Sequence, residues 1–367
     1  MNADARLKAA LHRAVGLEND GDLFGAEQIY RQLTARPIPV PHAHYHYAQL
    51  LLRRGDYAAA WPHFMKRIED PEYTSRSTAN LTQPYLTSAA ADAVAGKTVL
   101  VYCDQGIGDA VMCARFVPEL AARADRVVFV VYQGFRDLFG ALAEADNVDV
   151  MEFGEPLPPF DVHADLFSLP ALFAATPETI PPPEWLRPDQ AWRALWQSRL
   201  PADRMNIGLV WQGNPNHNRD AERSAKLSDY RPLFETGHNF VSLQAGHGAD
   251  QVELPDAPPA LQTFDEIAGG IDIRDGQLVN CAALIDCLDL VITVDTAMAH
   301  LAGALGKPAW VLVTKVPYWV FMNEGPGTPW YPKARVFRGR ERYSWSSEVA
   351  EMAALLEKDD PIAAAAG

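Results

Sequence analysis

Three stretches of this 367-residue chain set acidic or anion-binding groups at the point where a strand hands over to a helix. In DQGIGDA (104–110), Gly106 and Gly108 allow a tight turn with free backbone amides, and Asp109 stands at the start of a helical run. Such a carboxylate either caps its helix or faces a cleft as a general base. A helix amino terminus favours the ionised form, which keeps the base deprotonated and weak. There is no third glycine, so the stretch fails as a G-x-G-x-x-G dinucleotide fingerprint. In VITVDTAMAHLAGALGKP (291–308), Asp295 and Thr296 precede a helix whose first turn carries the small residues Ala297 and Ala299. That pattern leaves N–H groups exposed in a phosphate-sized socket. Asp295 and Thr296 as plain caps, with His300 on the helix surface, is the duller alternative, but a plain cap does not require both alanines. In WQGNPNHNRDAERSAKL (211–227), Arg219, Arg223, Ser224 and Lys226 cluster after another strand. Alone they read as a solvated loop; beside the socket they would neutralise a diphosphate.

The elements that hold these stretches are set by periodicity. TVLVY (98–102), RVVFVVY (126–132) and VDVMEF (148–153) are apolar strands separated by helical runs at about 109–124 and 134–145. After a proline-marked passage with a helix at about 191–200, the alternation restarts with IGLVW (207–211), FVSLQ (240–244), LVITVD (290–295), AWVLV (309–313) and ARVFR (334–338). Helices are expected at 278–287, 297–306 and 346–357. Continuous apolar strands alternating with helices imply parallel sheets covered on both faces. The expectation is two doubly wound, Rossmann-like α/β domains, 96–200 and 201–345, facing a cleft, with a terminal helix and tail at 346–367. Ligands bind outside the carboxyl ends of such strands.

The first 70 residues repeat. Gly21-Asp22 recurs as Gly55-Asp56, and at the same offset of 34 residues Ala14 matches Ala48, Ala26 matches Ala60 and Tyr30 is answered by Phe64. Small residues at helix contacts and an aromatic between hairpins make this an all-α module that resembles the tetratricopeptide repeat. Two repeats are too few to stand alone, so the module either leans on the neighbouring α/β domain or binds a partner. His42, His44 and His46 alternate in PHAHYHY; residues two apart diverge on a helix, so they read as helix surface and not as a metal box. Residues 71–95, rich in Ser, Thr, Ala and Pro, read as a linker.

Composition closes off other classes. A chain that is 48% hydrophobic and 22% charged is a globular one, and its length suits two or three domains. Lys and Arg total 32 against 47 Asp and Glu, a net charge of −15, which argues against nucleic acid and anionic membrane as partners. Mean hydropathy is −0.14 and no window reads as a membrane span. The polar amino terminus lacks an export signal, so the expected location is cytoplasmic. Cys103, Cys113, Cys281 and Cys287 have neither zinc spacing nor a disulfide-favouring compartment and are expected as buried thiols.

Taken together, QGIGDAVMCARFVPEL (105–120), FDVHADLFSLPALF (160–173), GLVWQGNPNHNRDAERS (208–224), SLQ (242–244), DLVITVDTAMAHLAGALGKPAWVLV (289–313) and TPWYPKARVFR (328–338) carry a resemblance. The chain is similar to bacterial tetratricopeptide proteins with a carboxyl-terminal glycosyltransferase-like domain, related to the ADP-heptose:lipopolysaccharide heptosyltransferases of family 9 with the GT-B fold. The resemblance implies inverting, metal-independent transfer from a nucleotide-sugar donor, with no cofactor. It implies Asp109 as the base for the acceptor hydroxyl. The donor would be bound through Gly106, Gly108, Gln212, Asn214, Arg223, Ser224, Asp295, Thr296, Ala297, Met298 and His300. A protein acceptor such as flagellin, presented by the repeats, or a surface glycan is the implied partner. A non-catalytic scaffold with a vestigial cleft is the alternative, and a sugar-nucleotide epimerase a weaker one. Relatives carry a basic residue after the tryptophan of PYWVFMNEGPG (317–327), where this chain has Val320 and Phe321.

Overall fold

The computed structural model describes residues 3–36, 40–70, 81–217, 219–255, 257–258, 261–269 and 277–358. The first part of the expected linker (71–80) and the tail from 359 onward lie outside the described residues.

Four helices come first: α1 (Ala3–Asp20), α2 (Leu23–Thr34), α3 (Pro41–Arg54) and α4 (Tyr57–Met65). They form two hairpins whose turns are built alike. Gly21 and Gly55 both sit at φ +91°, a conformation that costs any residue with a Cβ. Gly21 N–H donates to the Glu18 carbonyl and Asp22 N–H to that of Leu17; Gly55 and Asp56 make the same bonds to Leu52 and Leu51. The 34-residue offset in sequence is therefore an offset in hydrogen bonding. Ala14, Ala26, Ala48, Ala60, Tyr30 and Phe64 are all fully buried, as the repeat pattern requires.

The rest is α/β. Strands β1 (Thr98–Tyr102), β2 (Arg126–Val131), β3 (Val148–Glu152) and β4 (Val162–Asp165) form one parallel sheet in the order β3-β2-β1-β4. Strands β5 (Asn206–Val210), β6 (Asn239–Ser242), β7 (Leu261–Gln262), β8 (Leu290–Val294), β9 (Ala309–Val313) and β10 (Ala334–Arg338) form the second, in the order β10-β9-β8-β5-β6-β7. The second order runs outward in both directions from a central pair, the doubly wound arrangement, and its switch point falls between β5 and β8. In the first sheet the switch falls between β1 and β4.

Side chains alternate cleanly across the first sheet. Val99, Val101, Val127 and Phe129 face one way and Leu100, Tyr102, Val128 and Val130 the other. One apolar core runs continuously through the helical hairpins, one face of the first sheet and one face of the second. Three further helices frame the space between the sheets: α5 (Ile107–Cys113), α6 (Gln277–Cys287) and α7 (Ala297–Ala304).

Several expectations need correcting. The run expected as one helix from 109 to 124 is broken in two, because Pro118 has no N–H to return to the Ala114 carbonyl. The run at 134–145 is a 3₁₀ segment, Asp137–Glu144. β4 escaped notice because VHAD is half polar; in the fold His163 and Asp165 are buried with partners, Tyr102 and Arg67. Residues 81–95 are packed and not a free linker: Leu86, Ala89 and Val94 are buried, and Leu86 N–H donates to the His163 carbonyl. His44 is buried rather than on the helix surface, with its Nδ1 2.6 Å from Nδ1 of His63. Cys103, Cys113 and Cys281 are buried thiols, while Cys287 is half-buried. No helix among the described residues is long and apolar enough to cross a membrane.

Candidate functional site

Both switch points open onto the same place. α5 begins straight after β1 and α7 straight after β8, and their amino ends meet. A Cβ on Gly108 would come within 2.8 Å of His300 Cδ2 and 3.3 Å of the Ala297 Cα, so only glycine permits this approach. The Gly turn expected from sequence thus serves to bring one lobe onto the other.

Asp109 sits three residues into α5, where the helix amides around Gly106 pull its pKa down. Burial pulls harder the other way and prevails, lifting the carboxyl to about 6. A 2.5 Å hydrogen bond from the Tyr318 hydroxyl opposes that rise, and the neighbouring charge of Asp295 adds to it. From sequence the helix terminus would set this carboxylate's pKa; burial outweighs it, so the shift is upward and not downward.

Asp295 follows β8 and is also lifted to about 6, again by burial first, with Arg223, Arg219 and the Tyr318 backbone amide opposing. Arg223 donates to the Asp295 carbonyl at 2.7 Å and to Asp220 Oδ1 at 3.1 Å. It therefore ties the loop after β5 to the turn after β8, across the switch point. Arg219, expected in the same basic cluster as Arg223, reaches Thr314 Oγ1 at 3.3 Å and bears on Asp295 as well. Thr296 caps α7, its Oγ1 accepting from Met298 N–H at 3.3 Å. Asp295, Thr296, Ala297 and Met298 remain partly exposed.

Other expected donor residues are placed differently. His300 is neither in the socket nor on the helix surface: it is 4% exposed, shares a 2.8 Å hydrogen bond with Tyr331, and is pushed down to about 3 by burial and then by Arg115. It is a neutral core histidine beneath the turn. The Met298 sulfur meets Cys281 Sγ of α6 at 3.6 Å. Asn214 is exposed and closes a turn on Asn216 N–H. Ser224 Oγ accepts from Gly213 N–H at 3.0 Å, which shapes the loop. Gln212 donates its N–H to Gln244 Oε1 and accepts from Gln251 Nε2, beside a cavity of about 460 Å³ also lined by Lys226, Leu227 and Leu254.

Tyr318 is the residue that sequence reasoning missed. Its hydroxyl holds Asp109 and its amide faces Asp295, so one residue spans both carboxylates. No basic residue follows the tryptophan of this loop; the nearby cation, Arg338 of β10, is spent on the loop's backbone. Arg338 donates to the carbonyls of Phe321, Met322, Glu324 and Gly325, fixing the loop on which Tyr318 stands. Among the described residues no group of three or more His, Cys, Asp or Glu converges for a metal ion.

Residues 242–341, from the end of β6 through β10, match the family model of glycosyltransferase family 9 (heptosyltransferase). The chain is similar to Protein FlbA of Caulobacter vibrioides, 26% identical over 298 residues, covering 71% of this chain and 46% of that protein. It thus spans about half the length of that relative. Among solved structures it is similar to a family 9 glycosyl transferase of Veillonella parvula (15% identity, 66% of this chain and 86% of that one, TM-score 0.46). It is also similar to the ADP-heptose LPS heptosyltransferase II of E. coli (16% identity, 71% and 98%, TM-score 0.45).

Proposed function

We propose that the protein transfers a sugar from a nucleotide-sugar to an acceptor hydroxyl with inversion, without a metal ion, in a GT-B arrangement. Asp109 takes the hydroxyl proton as the acceptor oxygen attacks the anomeric carbon. The bond from that carbon to the diphosphate breaks, and its electron pair leaves with the nucleoside diphosphate. The leaving charge is met by the amides at the start of α7 and by Arg219 and Arg223, which supply preorganised positive potential. The observation that carries this reading is the approach of Gly108 to Ala297, which sets a carboxylate with a pKa of about 6 beside an anion-binding helix end. The acceptor we favour is a protein, flagellin-like or another surface protein, with the tetratricopeptide-like hairpins on its approach path; a surface glycan is the other choice.

The test is a thermal-shift screen against ADP-, UDP-, GDP-, CMP- and dTDP-sugars, followed by product analysis. One nucleotide-sugar at about 100 times its Kd should add roughly 2.7 kcal/mol of stability. Its sugar should then be released or transferred at a rate that Asp109→Asn abolishes. A chain that binds none of them, or binds without turnover, is a scaffold and not a transferase.

A further inference from the structure

We infer that the helical hairpins are part of the reaction site: their two repeat-equivalent turns clamp the loop after β9, and Arg53 of α3 is a positioning residue that aims Tyr318 at Asp109. This rests on the transferase reading above. Tyr318 lies between two points at which that loop meets the hairpins. At the first, a Cβ on Gly21 would come 3.1 Å from Lys315 Nζ, which donates to the Asp20 carbonyl at 3.4 Å. At the second, a Cβ on Gly55 would lie 3.8 Å from Met322 Cε, and Asn323 N–H donates to the Arg53 carbonyl at 2.9 Å. Gly21 and Gly55 are partners in the 34-residue repeat, so one turn geometry is used twice on one loop. Arg53 also reaches the middle of the span. Its Nη1 donates at 3.5 Å to the Pro317 carbonyl, the peptide oxygen directly before Tyr318. The Arg53 guanidinium is buried and paired with Glu18 of α1, which accepts from the Tyr30 hydroxyl of α2 at 2.8 Å. Three helices therefore stand behind the placement of one tyrosine.

The loop needs to be held from outside. Met322 sits at φ 59° and ψ 170°, a backbone region natural to glycine, and a side chain stays there only where its neighbours over-determine it. Those neighbours are the Asn323 bond to Arg53, the Tyr57 hydroxyl 3.9 Å from the Met322 sulfur, and Arg338, which donates to the Met322 carbonyl at 2.9 Å. Two of the three come from the second hairpin. The outcome of the clamp is the 2.5 Å hydrogen bond from the Tyr318 hydroxyl to Asp109 Oδ1. The other groups that act on Asp109 are Asp295, from the turn after β8, and the amides of its own turn at Gly106. Of these, only Tyr318 stands on the clamped loop, so a change made at Arg53 reaches the base through that phenol.

The experiment uses the full chain and reads the base in two ways. One is the acid limb of kcat with the nucleotide-sugar that gives the largest thermal shift; the other is the Asp109 carboxyl titrated by carbon-13 NMR, assigned with Asp109→Asn. Glu18→Gln together with Arg53→Met removes both charges of the buried pair at once and keeps an acceptor for Tyr30, so no lone charge is left buried. Both midpoints should move up by roughly half the shift that Tyr318→Phe gives, with KM for the nucleotide-sugar unchanged. In a Tyr318→Phe background the same pair of changes should add nothing. Lys315→Ala, at an exposed site, cuts the other clamp without touching the core and should move the midpoints in the same direction. Arg54→Met, one residue along α3, breaks pairs with Glu27 and Asp56 inside the hairpins and should move neither midpoint. Midpoints unmoved by both clamp variants, or a shift that adds in full to that of Tyr318→Phe, would overturn the inference and leave the transferase reading standing. A wild-type chain that turns over no nucleotide-sugar removes the transferase reading alone, because the carboxyl titration still decides the clamp.

Discussion

The turn after β1 and the turn after β8 are the same local device used twice. Each ends a buried parallel strand and leads, through an aspartate and a pair of small residues, into a helix. Burial lifts both carboxyls to about 6, yet the two are held differently. Asp109 is answered by a phenol, a neutral group that lets go at little electrostatic cost. Asp295 is answered by two guanidiniums, one anchored on its own backbone carbonyl. A site that must release a proton and receive it again wants the first arrangement, and a site that must hold an anion wants the second. The difference lies entirely in partners brought from distant sequence.

The sharpest way to break that contrast is to neutralise each carboxylate in turn. Asp109→Asn should cut turnover by roughly 10²- to 10⁴-fold, the range of a lost general base, while the thermal shift from the nucleotide-sugar persists. Asp295→Asn should cost only about tenfold, because Arg223 is tied to the Asp295 carbonyl, which the substitution keeps. Equal losses measured by single-turnover rates would end the division of labour.

Next comes the anion side itself. Arg223→Ala removes both the link across the switch point and one cation from the socket. Charge-assisted bonds of this kind are worth about 1.5–3 kcal/mol, so the nucleoside diphosphate Kd, measured by calorimetry, should rise roughly 10- to 100-fold. An unchanged Kd would move the diphosphate elsewhere.

Tyr318→Phe probes the base side with less violence. The phenol opposes the rise in the Asp109 pKa, so removing it lets burial push that carboxyl above 6. The acid limb of the rate profile should move up by about one pH unit, the worth of a ~1.4 kcal/mol hydrogen bond. A downward shift would show that Tyr318 destabilises the carboxylate instead.

Both turns were legible from sequence because everything that makes them is local: a β-branched run, Gly106 and Gly108 or Ala297 and Ala299, and an aspartate at the handover. The 34-residue repeat was legible for the same reason. The site's second half was not. Tyr318 acts on residues 209 and 23 positions away, and nothing in PYWVF distinguishes a tyrosine aimed at a carboxylate from one filling a core. His300 shows the converse error. One turn into α7 it looked donor-facing, but Gly108 packs so closely that the ring is shut beneath the turn beside Tyr331. A helical position gives direction only once the neighbouring helix is known.

The effect on stability separates the two carboxylates through proton linkage. An aspartate whose pKa rises from 3.8 to about 6 on folding binds its proton more tightly in the folded state. Its contribution is then fully present below pH 3.8 and is lost as pH climbs through 6, so at pH 7 the ionised, buried group is a burden. Asparagine keeps the shape and can still accept from Tyr318, but carries no charge to bury. Asp109→Asn should therefore match the wild type at about pH 4 and exceed it by roughly 2 kcal/mol at about pH 7 in denaturant unfolding. Asp295→Asn should gain less, since removing that charge also removes its attraction to Arg223 and Arg219, which keep only Asp220 and Glu222 as carboxylate partners. If Asp109→Asn were no more stable than wild type at neutral pH, the carboxyl would be well hydrated after all. The base would then sit in open water rather than in a partly closed seam between the lobes.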